Sequence, residues 1–264
     1  MKPVPFEYSA PGSLDEALAL LGLDSAVLAG GQSLVPLLNL RLARPELVVD
    51  INGLTELDYI RAEEGALWIG ALTRQVTLER SELVERHWPL LHKAVSFVGH
   101  PQIRSRGTVG GSVAHADPAA ELPAALIAHG ARFHLRSQGG ARVLGASEFF
   151  LGPLYTAREP DELLVEVEVP KPPEGAGSGF AEHARTHGDF ATAGAAAVVA
   201  PGHAGIALLG AGPVPVRAEA AERALTAGAT PDEAAALATA DVEDEHRRAL
   251  CTELARRAIE EALA

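Results

Sequence analysis

The residues best suited to chemistry lie in one run, Arg104-Ser105-Arg106-Gly107-Thr108-Val109-Gly110-Gly111-Ser112-Val113-Ala114-His115-Ala116-Asp117-Pro118. Three glycines within five residues, set among Thr108 and Ser112, predict a loop whose backbone N–H groups converge on one anion, because glycine accepts the φ > 0 conformations that such a nest requires. Arg104 and Arg106 place positive charge beside it; two solvated loop charges are the plainer alternative. A second glycine pair lies upstream in Leu28-Ala29-Gly30-Gly31-Gln32-Ser33-Leu34, again followed by a hydroxyl residue. Two such cradles predict a ligand with two phosphates.

Other groupings carry less. Ser112, His115 and Asp117 imitate a hydrolytic trio, but three residues within six on one glycine loop are poorly placed to face one another as a triad requires. His183 and His187 have the i, i+4 spacing of a metal-binding helix, yet no acidic ligand pattern accompanies them and Gly188 ends any helix there. The chain has no Gly-x-x-x-x-Gly-Lys-Ser/Thr run and no Gly-x-Gly-x-x-Gly between a strand and a helix, which disfavours a P-loop or Rossmann site. Gly175-x-Gly177-x-Gly179 reads as a flexible linker. Cys251 is the single cysteine, so a disulfide framework is excluded and an iron–sulfur cluster must sit on another chain.

The elements that would position these residues follow from periodicity. Ser13 to Leu21 reads as a helix with Ser13 as N-cap and Glu16 as its capping-box partner. A short strand, Val27-Leu28-Ala29, enters the first glycine pair, and Ser33 stands at a helix start, where unpaired N–H groups favour an anion. Leu47 to Ile51 is a buried strand with an Asn52-Gly53 turn after it. Further on come a strand at Ala66–Gly70, helices over Thr73–Arg86, Leu90–Val98 and Ala119–His129, and a hairpin across Gln138-Gly139-Gly140. Leu163 to Val169 alternates apolar and acidic residues, which predicts a half-exposed strand. Beyond a linker at 171–179, a hairpin turns at Pro201-Gly202-His203, and three helices follow near Arg217–Ala227, Pro231–Ala238 and Asp244–Ala262.

With 264 residues, 47% hydrophobic and 22% charged, the chain suits a soluble globular protein of two domains. Its formal net charge of −13 argues against nucleic acid or an anionic membrane surface as partner. No apolar run approaches the roughly 18 residues needed to span a bilayer, and Met1 to Pro5 lacks the apolar core of a signal peptide, so a cytoplasmic location is expected.

Taken with their neighbours, Ala29 to Leu34, Gln102 to Ser112 and Ala114-His115-Ala116-Asp117-Pro118-Ala119-Ala120-Glu121-Leu122-Pro123 closely resemble the FAD-binding medium subunits of molybdenum hydroxylases, the carbon monoxide and xanthine dehydrogenase flavoproteins among them. Gly188-Asp189-Phe190-Ala191 and Gly210 to Arg217 resemble the C-terminal domain of that family. The resemblance implies an α+β chain: a two-subdomain FAD-binding domain of the PCMH (vanillyl-alcohol-oxidase-like) type, 1–55 and 56–170, then the 171–179 linker and a small sheet-plus-helices domain, 180–264. It implies that Gly30, Gly31, Gln32, Ser33 and Leu34 form one wall of the pyrophosphate site and Thr108, Gly110, Gly111 and Ser112 the other. Ile103, Arg104, Asp117, Glu121, Leu164 and Glu182 complete the cofactor contacts. Glu182 stands where some relatives carry a lysine that reaches the flavin, which would disfavour an anionic reduced flavin. The implied function is electron transfer from [2Fe–2S] clusters on a small partner subunit, through FAD, to an external acceptor, with the molybdopterin cofactor on a large partner subunit. Two other readings remain: a stand-alone FAD-dependent oxidase or reductase, and a non-catalytic nucleotide-binding assembly protein.

Overall fold

The computed structural model describes residues 2–264. Its first unit runs β1 (Glu7–Ser9), α1 (Leu14–Ala19), β2 (Ser25–Leu28), α2 (Leu34–Asn39) and β3 (Leu47–Asp50), with the strands in a parallel sheet ordered β1-β3-β2. Ser13 caps α1 by accepting from the Glu16 N–H at 3.3 Å, but the Glu16 carboxylate accepts from Gly12 N–H at 2.8 Å rather than from Ser13. The capping box is therefore displaced by one residue.

The second unit contains β4 (Ile60–Glu63), β5 (Ala66–Gly70), α3 (Gln75–Glu79), α4 (Glu82–His87), α5 (Pro89–Phe97), α6 (Pro101–Arg104), α7 (Val109–His115), α8 (Glu121–Ala128), β6 (Arg132–Ser137), β7 (Gly140–Gly145), α9 (Ala146–Phe149), β8 (Phe150–Gly152), β9 (Tyr155–Thr156) and β10 (Leu163–Pro170). Five of its strands form an antiparallel sheet ordered β4-β5-β10-β6-β7. The predicted helix over Thr73–Arg86 is two helices, because Ser81 leaves the first and caps the second by accepting from Val84 N–H. The predicted loop at Arg104–Pro118 is also helical over Val109–His115, with Thr108 accepting from Gly111 N–H at 3.1 Å as its N-cap. Strand β10, expected to be half-exposed, lies at the sheet centre with both faces covered. Its Glu168 is only 5% exposed because the flanking β6 brings Arg132 and His134 onto the acidic face.

The third unit is an antiparallel sheet of β11 (Gly177–His183), β12 (Ala193–Ala200), β13 (His203–Leu209) and β14 (Val216–Arg217), followed by α10 (Glu219–Thr226), α11 (Pro231–Ala238) and α12 (Glu245–Leu263). Helix α12 crosses one face of this sheet and α8 the other. The expected looseness of Gly177 and Gly179 is not what the structure uses: both lie in β11, where an added Cβ would sit 2.0 Å from Ala262 O and 1.9 Å from Ala258 O. Glycine here lets a strand touch a helix backbone. His183 belongs to the same strand, so His183 and His187 share no helix; no group of residues able to hold a metal occurs among the described residues. Phe180, Ala196, Val198, Ala207 and Leu209 of the third unit join the core built on Leu67, Leu122 and Phe133 of the second. Cys251 is fully buried in α12, as packing. Among the described residues, no helix is long and apolar enough to cross a membrane.

Candidate functional site: a cleft between two glycine-lined walls

Strand β2 delivers Ala29-Gly30-Gly31 to the start of α2. Gly31 has φ +72°, which glycine tolerates without strain. A Cβ on Gly30 would fall 2.3 Å from Arg106 O, so its absence lets the first wall lie directly on the backbone of the second. Ser33 is the N-cap of α2 but its hydroxyl makes no capping bond. Among the described residues, the N–H groups of Gly31, Gln32, Ser33 and Leu34 donate to no backbone or side-chain acceptor. Four consecutive free donors at a helix start have the chemistry to receive an anion.

The second wall is built differently. Val109 N–H donates to Thr73 O and Gly110 N–H to Ala71 O, both at 2.9 Å, and Gly111 N–H is taken by Thr108 Oγ1. None of Gly107, Gly110 and Gly111 has a positive φ, so the nest conformation expected of this run is not the one found. The physical reason is packing: a Cβ on Gly110 would lie 2.5 Å from Ala71 Cβ and 2.8 Å from its backbone. What this wall presents is bare backbone and the Ser112 hydroxyl, which has no hydrogen-bond partner among the described residues.

A short polar chain clamps the walls together at their base. Asn52 Nδ2 donates to Ala29 O at 2.8 Å, Arg74 Nη2 donates to Asn52 Oδ1 at 2.7 Å, and Arg74 Nη1 donates to Arg106 O at 2.5 Å. Sequence reasoning missed both residues; Asn52 registered only as a turn signal, and Arg74 gave no signal.

Between the walls lies a cleft of ≈ 540 Å³, within the range of about 300–1,000 Å³ usual for cofactor sites. It brings together Gly30, Gly31, Gln32, Ser33 and Leu34 on one side and Thr108, Gly110, Gly111 and Ser112 on the other. Ile103, Asp117, Glu121 and Leu164 also line it. Val98, Ile103, Leu163 and Leu164 give it an apolar surface, and Phe190, 70% exposed, borders it. Phe190 was quoted in the sequence only as part of a motif, and its exposure is what marks it out.

Two sequence-predicted residues fall outside the lining. Arg104 is only 7% exposed; its Nε and Nη2 donate to Glu79, both at 2.8 Å, and its Nη1 donates to Val98 O and Gly99 O. A buried guanidinium must satisfy its donors, and this one does so by tying α6 to α3. Glu182 lies on β11 and does not line the cleft; its Oε2 is buried and without a hydrogen-bond partner. Glu121, the first residue of α8, is 6% exposed. Burial pushes its carboxyl up to about 8, Glu182 and Asp117 adding to the rise and Arg104 opposing it. Burial likewise pushes Glu182 up to about 7 and lowers His115, where Asp117 acts against the drop.

Free N–H donors on one wall, a free hydroxyl on the other and an apolar surface beside them define a dinucleotide-binding protein. Residues 4–172 match the family described as the FAD binding domain in molybdopterin dehydrogenase, and the chain belongs to that family. It is similar to the caffeine dehydrogenase subunit beta of a Pseudomonas species, 44% identical over 232 residues, covering 84% of this chain and 79% of that one. It is 37% identical to the carbon monoxide dehydrogenase medium chain of Afipia carboxidovorans over 284 residues, covering 100% of this chain and 99% of the relative. Among solved structures, carbon monoxide dehydrogenase from Hydrogenophaga pseudoflava superimposes with a TM-score of 0.94 at 40% identity, covering 100% of this chain and 99% of that chain. The cleft fits FAD on its own chemistry: the free donors of Gly31 to Leu34 suit a pyrophosphate, and the glycine at 30 leaves no Cβ between the walls.

Proposed function

We propose that this chain is the FAD-binding, electron-transfer subunit of a molybdopterin-dependent hydroxylase or dehydrogenase complex. The observation that carries the reading is the row of four unpaired N–H groups at Gly31 to Leu34 in a cleft that Ser112 also lines, in a chain of the FAD-binding family. Bound there, FAD would supply a ring that accepts electrons from one donor and releases them to another. The chain's own residues hold that ring. Gly31 to Leu34 grip the pyrophosphate, Ser112 donates from the opposite side, and the apolar surface at Val98, Ile103 and Leu164 excludes water from a flat ring. Asp117 and Glu121 offer carboxyl groups to hydroxyl or amine donors of the cofactor.

The electrons come from a second chain, because a lone cysteine cannot ligate an iron–sulfur cluster. Relatives named as medium chains and as a subunit beta support the assignment of [2Fe–2S] clusters to a small partner and of the molybdopterin cofactor to a large one. The unpaired, buried Cys251 supports a reducing cytoplasmic location. Mixing the FAD-loaded chain anaerobically with a reduced [2Fe–2S] partner subunit tests the reading. Flavin absorbance should bleach only when the partner is present. Turnover of a small alcohol or amine by the chain alone would instead make it a self-contained oxidase or reductase, and a preparation that stays colourless with FAD would make it a non-catalytic assembly protein.

A further inference from the structure

Arg158, on the loop between β9 and β10, is the one lysine or arginine among the described residues that line the cleft, and the electron-transfer reading leaves it unused. Its Nη1 donates to Glu159 O at 3.0 Å and to Glu162 O at 2.6 Å, and its backbone N–H donates to Thr156 Oγ1 at 3.3 Å. These bonds pin the half-buried guanidinium to the turn that enters β10. Its Nε and Nη2 form the edge that grips an oxyanion with two parallel bonds, and they donate to no acceptor among the described residues. Arg104 and Arg142 show the same edge filled: Nε and Nη2 of the first both donate to Glu79, and those of the second both donate to Glu162. Burial lowers the Arg158 pKa, and Glu162 and Asp161 oppose the drop, yet Arg158 forms no ion pair with either. Glu162 is taken by Arg142 and by the Glu159 N–H at 2.7 Å.

The surroundings of this empty fork point to an anion. Leu163, which follows Glu162, joins the core of the first unit with Ile51, and Val27 and Ala29 pack against that core, so the turn carrying Arg158 is tethered to the unit that presents Gly31 to Leu34. The cleft is also lined by the carboxyls Asp117, Glu121 and Asp189, in a chain of net charge −13. A pyrophosphate entering there meets repulsion that neutral N–H donors offset only in part. Arg158 is the lining side chain with a permanent positive charge.

We propose that Arg158 is the counter-ion of the FAD pyrophosphate, its free Nε–Nη2 edge closing on phosphate oxygens while Gly31 to Leu34 donate from the start of α2, and that it makes the site select a flavin bearing a diphosphate over the same ring without one. The proposal rests on the flavoprotein reading above. A guanidinium already pinned through Nη1 gives up little rotamer freedom when it binds.

Fluorescence titration of the full-length chain with FAD and with riboflavin, at low and high salt, tests the assignment. Arg158→Gln should raise the FAD Kd about thirtyfold and leave the riboflavin Kd within about twofold. Added salt should weaken FAD binding to the unsubstituted chain more than to the glutamine variant. Arg158→Lys keeps the charge without the fork; it should raise the FAD Kd about fivefold with riboflavin again unchanged, and it carries the test if Arg158→Gln does not fold. Variants that hold FAD as tightly as the unsubstituted chain, or that lose FAD and riboflavin by the same factor, overturn the role of Arg158 alone, the second outcome showing that it only braces the turn before β10. An unsubstituted chain that binds neither ligand overturns the flavoprotein reading and the assignment with it.

Discussion

The two walls of the cleft use the same residue for opposite purposes. In the first, Gly30 makes room for Arg106 O but Gly31 shapes the backbone: it adopts φ +72°, and the N–H groups from Gly31 to Leu34 stay unspent. In the second, glycine removes bulk: Gly110 sits where a Cβ would strike Ala71, and the N–H groups of Val109, Gly110 and Gly111 are spent within the fold. A glycine-rich run therefore announces a close approach without saying whether ligand or protein makes it. Here the first wall keeps its donors free and the second spends them on packing.

That contrast breaks most visibly at Gly110. Gly110→Val should cost about 3 kcal/mol of stability through overpacking against Ala71, read as a lower midpoint in urea unfolding, with flavin lost alongside the fold. The clamp is next. Arg74→Ala should cost about 2 kcal/mol by freeing Asn52 Oδ1 and Arg106 O, and because it loosens one wall from the other, FAD affinity should suffer more than the melting temperature. Gly31→Ala forces a side chain into the left-handed region at about 1–2 kcal/mol, which should weaken FAD about tenfold by fluorescence titration. The smallest effect belongs to Ser112→Ala, one hydrogen bond at about 1 kcal/mol, with Kd raised about fivefold and thermal unfolding unchanged. A Gly110 variant that folds normally and loses only flavin would erase the distinction between the walls.

Sequence legibility follows the range of the forces involved. The strand leading into Gly30-Gly31, Ser33 at the start of α2, and helix α11 over Pro231–Ala238 were readable because each is set by residues within one turn of one another. The Asn52–Arg74 clamp was not, since it joins Ala29, Asn52, Arg74 and Arg106 across the chain. Burial of β10 was hidden for a related reason: Glu166 and Glu168 look exposed in alternation, and only the neighbouring strands supply Arg61, Arg132 and His134 to pair them. Arg104 was assigned to phosphate on its proximity to glycines, whereas its partner Glu79 lies on a different helix. The three-residue β1 was too short to register.

The claim on which everything else depends is that the free N–H groups of Gly31 to Leu34 hold a pyrophosphate. Parallel titration of the purified full-length chain with FAD and with riboflavin, which carries the same ring without phosphate, measures it most directly. Pyrophosphate capture predicts tight FAD binding and riboflavin weaker by at least about a hundredfold. Equal affinity for the two ligands, or a chain that remains colourless with FAD, would contradict it.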